Sequence, residues 1–301
     1  MNEKLKNFYE GKKILVTGGA GFIGSHLVDM LVELKAHVTV LDNFSTGNIN
    51  NLKSAFPFVT IHYADITSPY AAYKATENKH LVFHLAAQVS IPFSINNPAI
   101  SHNINVTGTK NLLDGCIKSG VQHFIFSSSS AVYGNNTKIC SEESPLNPIS
   151  PYAQNKVDGE LLCKQYTQQY KLSTTILRYF NVYGERQNTS QYASVVAQFK
   201  YALLNQLPIT IFGDGQQTRD FITVQEVAQA NLTLGANLTA QADIYNIASG
   251  TSITLLELLN RLENELQIKR LVTEFKPERT GDIKYSTAQC SKYKNLIKTF
   301  L

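Results

Sequence analysis

A tyrosine and a lysine four residues apart, Tyr152 and Lys156, lie in the first turns of a helical segment that opens at Pro151. At that spacing both side chains leave the same face of a helix. A phenol accepts a proton readily at neutral pH only if its pKa, near 10 when free, is lowered, and a neighbouring ammonium group can do this. The pair therefore suits acid–base chemistry on a hydroxyl, in which a proton leaves oxygen as hydride leaves carbon. The same spacing recurs at Tyr9/Lys13 and Tyr70/Lys74, which read as surface coincidences. Context separates the third copy. It follows a β-like run that ends in Ser127, Ser128, Ser129 and Ser130, any of whose hydroxyls could share the substrate proton, and Pro148, Pro151 and the serines about them fix the helix start.

Hydride needs a carrier, and a second cluster supplies a place for one. Two overlapping glycine patterns, Gly18-x-x-Gly21-x-x-Gly24 and Gly19-x-Gly21-x-x-Gly24, join a short β-branched run to an amphipathic helix. Glycines let backbone approach a pyrophosphate, and the helix N-terminus offers unpaired N–H groups and the positive end of its dipole. The pattern alone is weak, but its place between strand and helix strengthens it. Asp42 lies eighteen residues past Gly24 at the end of the second strand-like run. A carboxylate there accepts hydrogen bonds from ribose hydroxyls and repels a 2′-phosphate, so NAD is expected rather than NADP. Asp65, read as the end of the third strand, could bond the adenine amino group.

The elements that must position these groups follow from the hydrophobic pattern. Lys13–Thr17, His37–Asp42, Phe58–His62, Leu81–Leu85, His123–Ser128 and Thr174–Tyr179 are short runs that read as strands of a parallel sheet buried on both faces. Helices Phe22–Leu34, Ala99–Ser119 and Pro151–Tyr170 fall between them. This alternation predicts an α/β fold with a doubly wound parallel sheet. After residue 180 the regularity breaks, and a helix near Ala193–Leu204 is followed by short strands and helices. The expected organisation is a dinucleotide-binding domain over 1–180, with 219–248 returning to it, and a smaller, interleaved α/β substrate-binding lobe over 181–301.

Bulk properties exclude several classes. The 301 residues carry a net charge of +4 without runs of Lys or Arg, so nucleic acid is not an expected partner. The four cysteines, Cys116, Cys140, Cys163 and Cys290, form no C-x-x-C pair and suggest reduced thiols rather than a metal site. The polar N-terminal segment lacks the apolar run of a signal peptide, and no stretch reaches the length of a membrane span, so a cytoplasmic protein is expected.

Nine segments together carry a resemblance over nearly the whole chain: TGGAGFIGSH, LDNFSTGN, HLAAQ, NVTGT, SSSSAVYG, SPYAQNK, RYFNVYG, FGDGQQTRDFI and RTGDI. The sequence resembles the extended short-chain dehydrogenase/reductases with a Rossmann fold, and within them the UDP-glucose and UDP-N-acetylglucosamine 4-epimerases. The resemblance implies that Tyr152 is the base, that Ser129, four before Tyr133, shares the proton, and that Lys156 holds the nicotinamide ribose and depresses the Tyr152 pKa. It implies that Gly18, Gly21, Phe22, Ile23 and Gly24 line the pyrophosphate. Asp42, Asn43, Thr46 and Gly47 would take the adenosine ribose and nearby phosphate, Asp65 and Ile66 the adenine, and Leu85, Ala86 and Ala87 the flank of the cofactor. Asn181, Phe212, Arg219, Arg279 and Asp282 would grip the nucleoside diphosphate of a UDP-sugar. Ser286, aligned with the position beside the sugar, is small enough to leave room for an N-acetyl group.

The implied reaction oxidises C4, rotates the tethered 4-keto sugar and returns hydride to its other face. Related 4,6-dehydratases carry carboxylates in the two positions after the catalytic hydroxyl and uronate decarboxylases carry one in the second; here these are Ser130 and Ala131. A reductase would favour NADPH, which Asp42 disfavours, and a non-catalytic dinucleotide-binding regulator would have little use for Ser129, Tyr152 and Lys156. The family also implies a homodimer through a four-helix interface built from the Ala99–Ser119 and Pro151–Tyr170 segments.

Overall fold

The computed structural model describes residues 3–136, 138–187, 194–239, 241–278 and 283–300. Its first six strands are β1 (Lys13–Thr17), β2 (His37–Asp42), β3 (Val59–Tyr63), β4 (Leu81–His84), β5 (His123–Ser129) and β6 (Ser173–Tyr179). Six more follow: β7 (Asn181–Tyr183), β8 (Ile209–Phe212), β9 (Thr218–Thr223), β10 (Ala242–Ile247), β11 (Ser252–Thr254) and β12 (Thr273–Lys276). Seven of them form one parallel sheet in the order β10-β6-β5-β4-β1-β2-β3. The strand order reverses between β1 and β4, and an open α/β sheet binds its ligand outside the carboxyl ends of the strands at such a point. Thr17, Asp42 and Ser129 each end a strand. Chain direction alone therefore gathers the glycine turn, the ribose-binding carboxylate and the serine run on one edge.

Helices α1 (Glu3–Tyr9), α2 (Phe22–Glu33), α3 (Pro69–Thr76), α4 (Ile91–Asn96), α5 (Pro98–His102), α6 (Gly108–Ser119) and α7 (Pro151–Tyr170) accompany the first strands. The later ones are α8 (Val195–Leu204), α9 (Val224–Gly235), α10 (Leu255–Leu266) and α11 (Ser291–Phe300). One core, with Leu27, Leu31, Phe83, Val227 and Leu234 at its centre, joins α2 and α9 to one sheet face. A second, around Leu112, Cys116, Phe124 and Cys163, joins α3, α6 and α7 to the other. Apart from β3, which lies at the sheet edge with none of its residues fully buried, the early strands are covered on both faces and need no polar alternation, which explains their apolar runs. A third core of Phe199, Leu203, Ile211 and Leu259 knits α8, β8 and α10 into the smaller lobe, beside a three-stranded β11-β9-β7 sheet and the β12-β8 pair. The chain leaves the large sheet after β6 and re-enters it with α9 and β10.

Three sequence expectations differ from the structure. The Ala99–Ser119 helix is broken: α5 and α6 flank a π-helical turn, Asn103–Thr107. Thr109 Oγ1 donates to the Asn105 carbonyl at 2.7 Å, and the Asn105 amide turns inward to bond both the N–H and the C=O of Gln88, at 2.8 and 2.9 Å. Asp65 does not end a strand, since β3 stops at Tyr63. Tyr9 is no surface residue: it is fully buried, its hydroxyl donating to the Leu232 carbonyl at 2.7 Å, whereas Tyr70 is 72% exposed. No helix among the described residues is long and apolar enough to cross a membrane.

Candidate active site

The glycine turn fits a dinucleotide because side chains cannot. Gly18 has φ +67°, and a Cβ there would lie 2.7 Å from the Ala86 nitrogen. At Gly24 a Cβ would meet the Gly18 carbonyl oxygen well inside van der Waals contact, so α2 could not pack as closely. Gly21 begins α2 with no side-chain cap, which leaves first-turn N–H groups for an anion. Phe22 and Ile23, in the same turn, are half-buried.

Asp42 Oδ2 accepts from the Ala20 N–H at 2.9 Å and Oδ1 from the Phe44 N–H at 2.8 Å. Burial raises its pKa, and these two bonds pull it back. Each carboxylate oxygen keeps a further acceptor direction, which suits a pair of ribose hydroxyls. Beside it a cavity of about 400 Å³ is lined by Phe44, Thr46, Gly47, Asn48 and Ile49. Asn43 donates to Asp65 Oδ2 at 2.7 Å, and the Thr67 N–H and hydroxyl donate to Oδ1. Burial opposes ionisation of Asp65, but those three bonds together hold it below the ordinary carboxylate range. Ile66 is buried against Gly108, and Leu85, Ala86 and Ala87 continue half-buried from the end of β4. This cradle of bare backbone, uncapped helix end and ribose-facing carboxylate matches NAD, which supplies the hydride acceptor and donor when bound.

Ser150 caps α7 by accepting from the Ala153 N–H at 3.2 Å, with Pro151 behind it. The Tyr152 N–H donates to Ser94 Oγ at 3.1 Å, so α4 also pins the helix start. Tyr152 is 8% exposed. Burial pushes its phenol above the usual value, while a hydrogen bond shared with Ser129 pulls it down. Lys156 Nζ donates to the Ser127 carbonyl at 2.7 Å and lies 5.9 Å from the Tyr152 ring centre. Burial lowers its pKa to about 8, and the Glu160 carboxylate counters part of that. The ammonium is thus engaged by a carbonyl, and the Ser129 hydroxyl eases Tyr152 ionisation.

Sequence reasoning missed a second group at the same edge. His84, 2% exposed, has Nδ1 2.7 Å from Thr17 Oγ1 and Nε2 2.8 Å from Thr109 Oγ1. Thr109 spends its proton on the Asn105 carbonyl, so Nε2 carries the histidine proton and Thr17 donates to Nδ1. Burial, aided by the Lys156 charge, holds His84 near a pKa of about 3, and it stays a neutral strut beneath the Leu85–Gln88 loop. A histidine ending an otherwise apolar strand was the available signal.

The residues expected at the substrate lie in the smaller lobe. Asn181 in β7 donates to the Asp220 carbonyl at 3.0 Å, and β7 runs beside β9, which carries Arg219. Arg219 Nη1 donates to the Thr218 carbonyl at 2.9 Å. Phe212 ends β8, its carbonyl accepting from Gln217 at 2.6 Å. Arg279 and Asp282 lie outside the described residues. Ser286 is 7% exposed and its neighbour Tyr285 42%, as opposite-facing side chains of extended backbone should be. The Thr218 N–H donates to the Lys284 carbonyl at 3.0 Å, which ties this segment to β9.

Residues 14–248 match the model of the NAD dependent epimerase/dehydratase family. The chain belongs to that family. It is an extended short-chain dehydrogenase/reductase with NAD as cofactor. It is 42% identical over 274 residues to a putative UDP-glucose 4-epimerase of Methanocaldococcus jannaschii, covering 90% of this chain and 87% of that one. Among solved structures it is similar to a UDP-N-acetylglucosamine 4-epimerase of Methanobrevibacter ruminantium in complex with UDP-N-acetylmuramic acid, at 39% identity and TM-score 0.90, covering 95% and 92% of the two chains. The Thermus thermophilus UDP-glucose 4-epimerase in complex with NAD gives 32% identity and TM-score 0.86, covering 96% and 93%. A family member that returns its hydride each cycle has no need to release its cofactor. The purified protein is expected to carry NAD without addition, measured by denaturing it and assaying the supernatant. NADP there instead would contradict the reading of Asp42.

Proposed function

We propose that this protein is an NAD-dependent 4-epimerase of UDP-sugars. The carrying observation is a buried Tyr152 whose ionisation the Ser129 hydroxyl eases, with Lys156 one turn on and no carboxylate at Ser130 and Ala131, the two positions after Ser129. Tyr152 takes the proton of the sugar 4-hydroxyl, with Ser129 holding that hydroxyl in line. Lys156 binds the nicotinamide ribose and keeps positive charge near the phenolate. Without an acid beside Ser129 there is no group to expel water from the 4-keto sugar, so rotation and return of hydride are the remaining course. Arg219, with Arg279, holds the diphosphate during that rotation, a task suited to a rigid multi-donor cation. The test offers UDP-glucose, UDP-N-acetylglucosamine and UDP-glucuronate to the purified protein and follows C4 configuration by proton NMR. Loss of water or of carbon dioxide from the product would refute epimerisation.

The acetylated sugars are included in the reading because Ser286 is small and its neighbour Tyr285 turns outward. Ser286→Tyr is expected to abolish turnover of UDP-N-acetylglucosamine and UDP-N-acetylgalactosamine selectively, since a ring there fills the acetamide volume. Kinetics on acetylated and plain pairs decide this: equal slowing of both would remove Ser286 from the sugar pocket. The α5 and α7 side chains Ile100 and Leu161, 52% and 49% exposed, favour a homodimer through these helices, which light scattering would test.

A further inference from the structure

Three consecutive residues of the serine run each grip helix α7, at positions spaced four apart. Ser129 faces Tyr152 and eases its ionisation, the Ser127 carbonyl accepts from Lys156 at 2.7 Å, and Ser128 Oγ donates to Glu160 Oε1 at 2.6 Å. The first two contacts belong to the acid–base pair. The third belongs to a carboxylate with no role in the chemistry described so far. Glu160 is wholly buried and is held in a two-pronged ion pair by Arg178 of β6, Nε to Oε1 at 2.9 Å and Nη2 to Oε2 at 2.7 Å. Arg178 Nη1 goes on to the Tyr133 hydroxyl at 2.8 Å, which donates to Asn246 Oδ1 at 2.6 Å, and the Asn246 amide reaches the Cys140 and Gln289 carbonyls. At Gly159 a Cβ would collide with the Phe126 ring, so the helix can approach β5 this closely only with glycine there.

Buried ion pairs are a poor source of stability, because desolvation consumes most of their Coulombic gain. What this one supplies is geometry and charge. We propose that Glu160 is a positioning residue: with Ser128 and Arg178 it locks α7 to β5 at the register that sets Tyr152 beside Ser129 and Lys156 on Ser127. The proposal rests on the reading of Tyr152 and Lys156 as the acid–base pair. Among the described residues, the titratable groups interacting with Lys156 are Tyr152, Glu160 and Cys163 on its own helix and His84 from β4, with the Ser127 carbonyl and Phe126 ring from β5. Only Glu160 brings negative charge at neutral pH. Removing it makes the ammonium harder to keep, so Lys156 loses its proton at lower pH.

The experiment compares Ser128→Ala, Glu160→Gln and Tyr152→Phe in the NAD-loaded protein, measuring kcat and KM for the UDP-sugar across pH. Ser128→Ala keeps the ion pair but frees one contact of the register. A small misplacement of reacting groups is costly, so kcat should fall by about tenfold with KM little changed. Glu160→Gln keeps an acceptor for Ser128 but loses the charge, and the alkaline limb of the rate profile should move to lower pH. A purely structural residue would scale the rate down equally at every pH. Ser128→Ala with wild-type kcat overturns the register lock, and an unmoved limb in Glu160→Gln overturns the charge effect. If Glu160→Gln does not fold, Ser128→Ala decides alone. A fully active Tyr152→Phe would instead overturn the underlying assignment, so the two failures are distinguishable.

Discussion

Tyr152→Phe should abolish nearly all turnover, by about a hundredfold to ten-thousandfold, the range expected when a general acid–base group is removed. The fold should survive. Phenylalanine fills the same buried volume, the contact with Ser94 is made by the backbone, and the Ser150 cap is untouched. Bound NAD should survive as well, because the glycine turn and Asp42 lie on other elements. Circular dichroism and released-NAD assays on the variant separate lost chemistry from lost structure. The other two tyrosines with a lysine four residues on serve as controls with different signatures. Tyr70→Phe should be silent. Tyr9→Phe should leave the rate unchanged but lower the melting temperature, since it removes one of two donors to the Leu232 carbonyl, which keeps the Ala236 N–H, at a cost of about 0.5–1.5 kcal/mol. Substantial activity in Tyr152→Phe would remove Tyr152 from its assigned role.

Gly24→Ala should cost the protein its cofactor. The new methyl group would press on the Gly18 carbonyl oxygen, which is backbone and cannot rotate away as a side chain could. Helix α2 must then move off the β1–α2 turn, and the N–H groups at its start move with it. Overpacking of this kind costs about 1–3 kcal/mol in stability, and the larger effect is on affinity, because the pyrophosphate depends on that approach. The expected outcome is a folded protein with a lowered melting point that elutes from gel filtration without NAD. Gly120→Ala is the matched control. It imposes a left-handed φ of +67° on an alanine, but meets no atom within 4 Å, so it should cost stability alone. Retention of NAD by Gly24→Ala would show that the close approach is dispensable.

Much of the large sheet was legible because each buried parallel strand is a short apolar run and each crossover helix begins or ends on a recognisable residue. Pro151 behind Ser150 marks the start of α7 to the residue, and Asp42 marks the end of β2. The break at Asn103–Thr107 was not legible, because periodicity registers which residues are apolar and not where one hydrogen bond slips. Its cause is the inward turn of the Asn105 amide onto a loop distant in sequence. Tyr9 escaped because the segment around it is polar, and its burial depends on α9, more than two hundred residues further on. Arg178 could have been found. A guanidinium inside an apolar strand run must be paired if buried, and Glu160 sits one turn past Lys156. What sequence alone does not give is that the two meet and enclose Ser128.

The re-entry of α9 and β10 into the large sheet has a consequence for how the protein is made. The sheet cannot close its β6 edge until β10, ending at Ile247, has left the ribosome, and the core formed by Val227, Leu232 and Leu234 is missing until then. A nascent chain that has emerged only to residue 180 would expose the β6 edge and the bare face of α2, so the usual order of synthesis, one finished domain followed by the next, is closed to it. Loops of this length must close before their contacts stabilise anything, which slows folding. The two lobes should consequently unfold in one transition, and neither half should be recoverable as a soluble fragment.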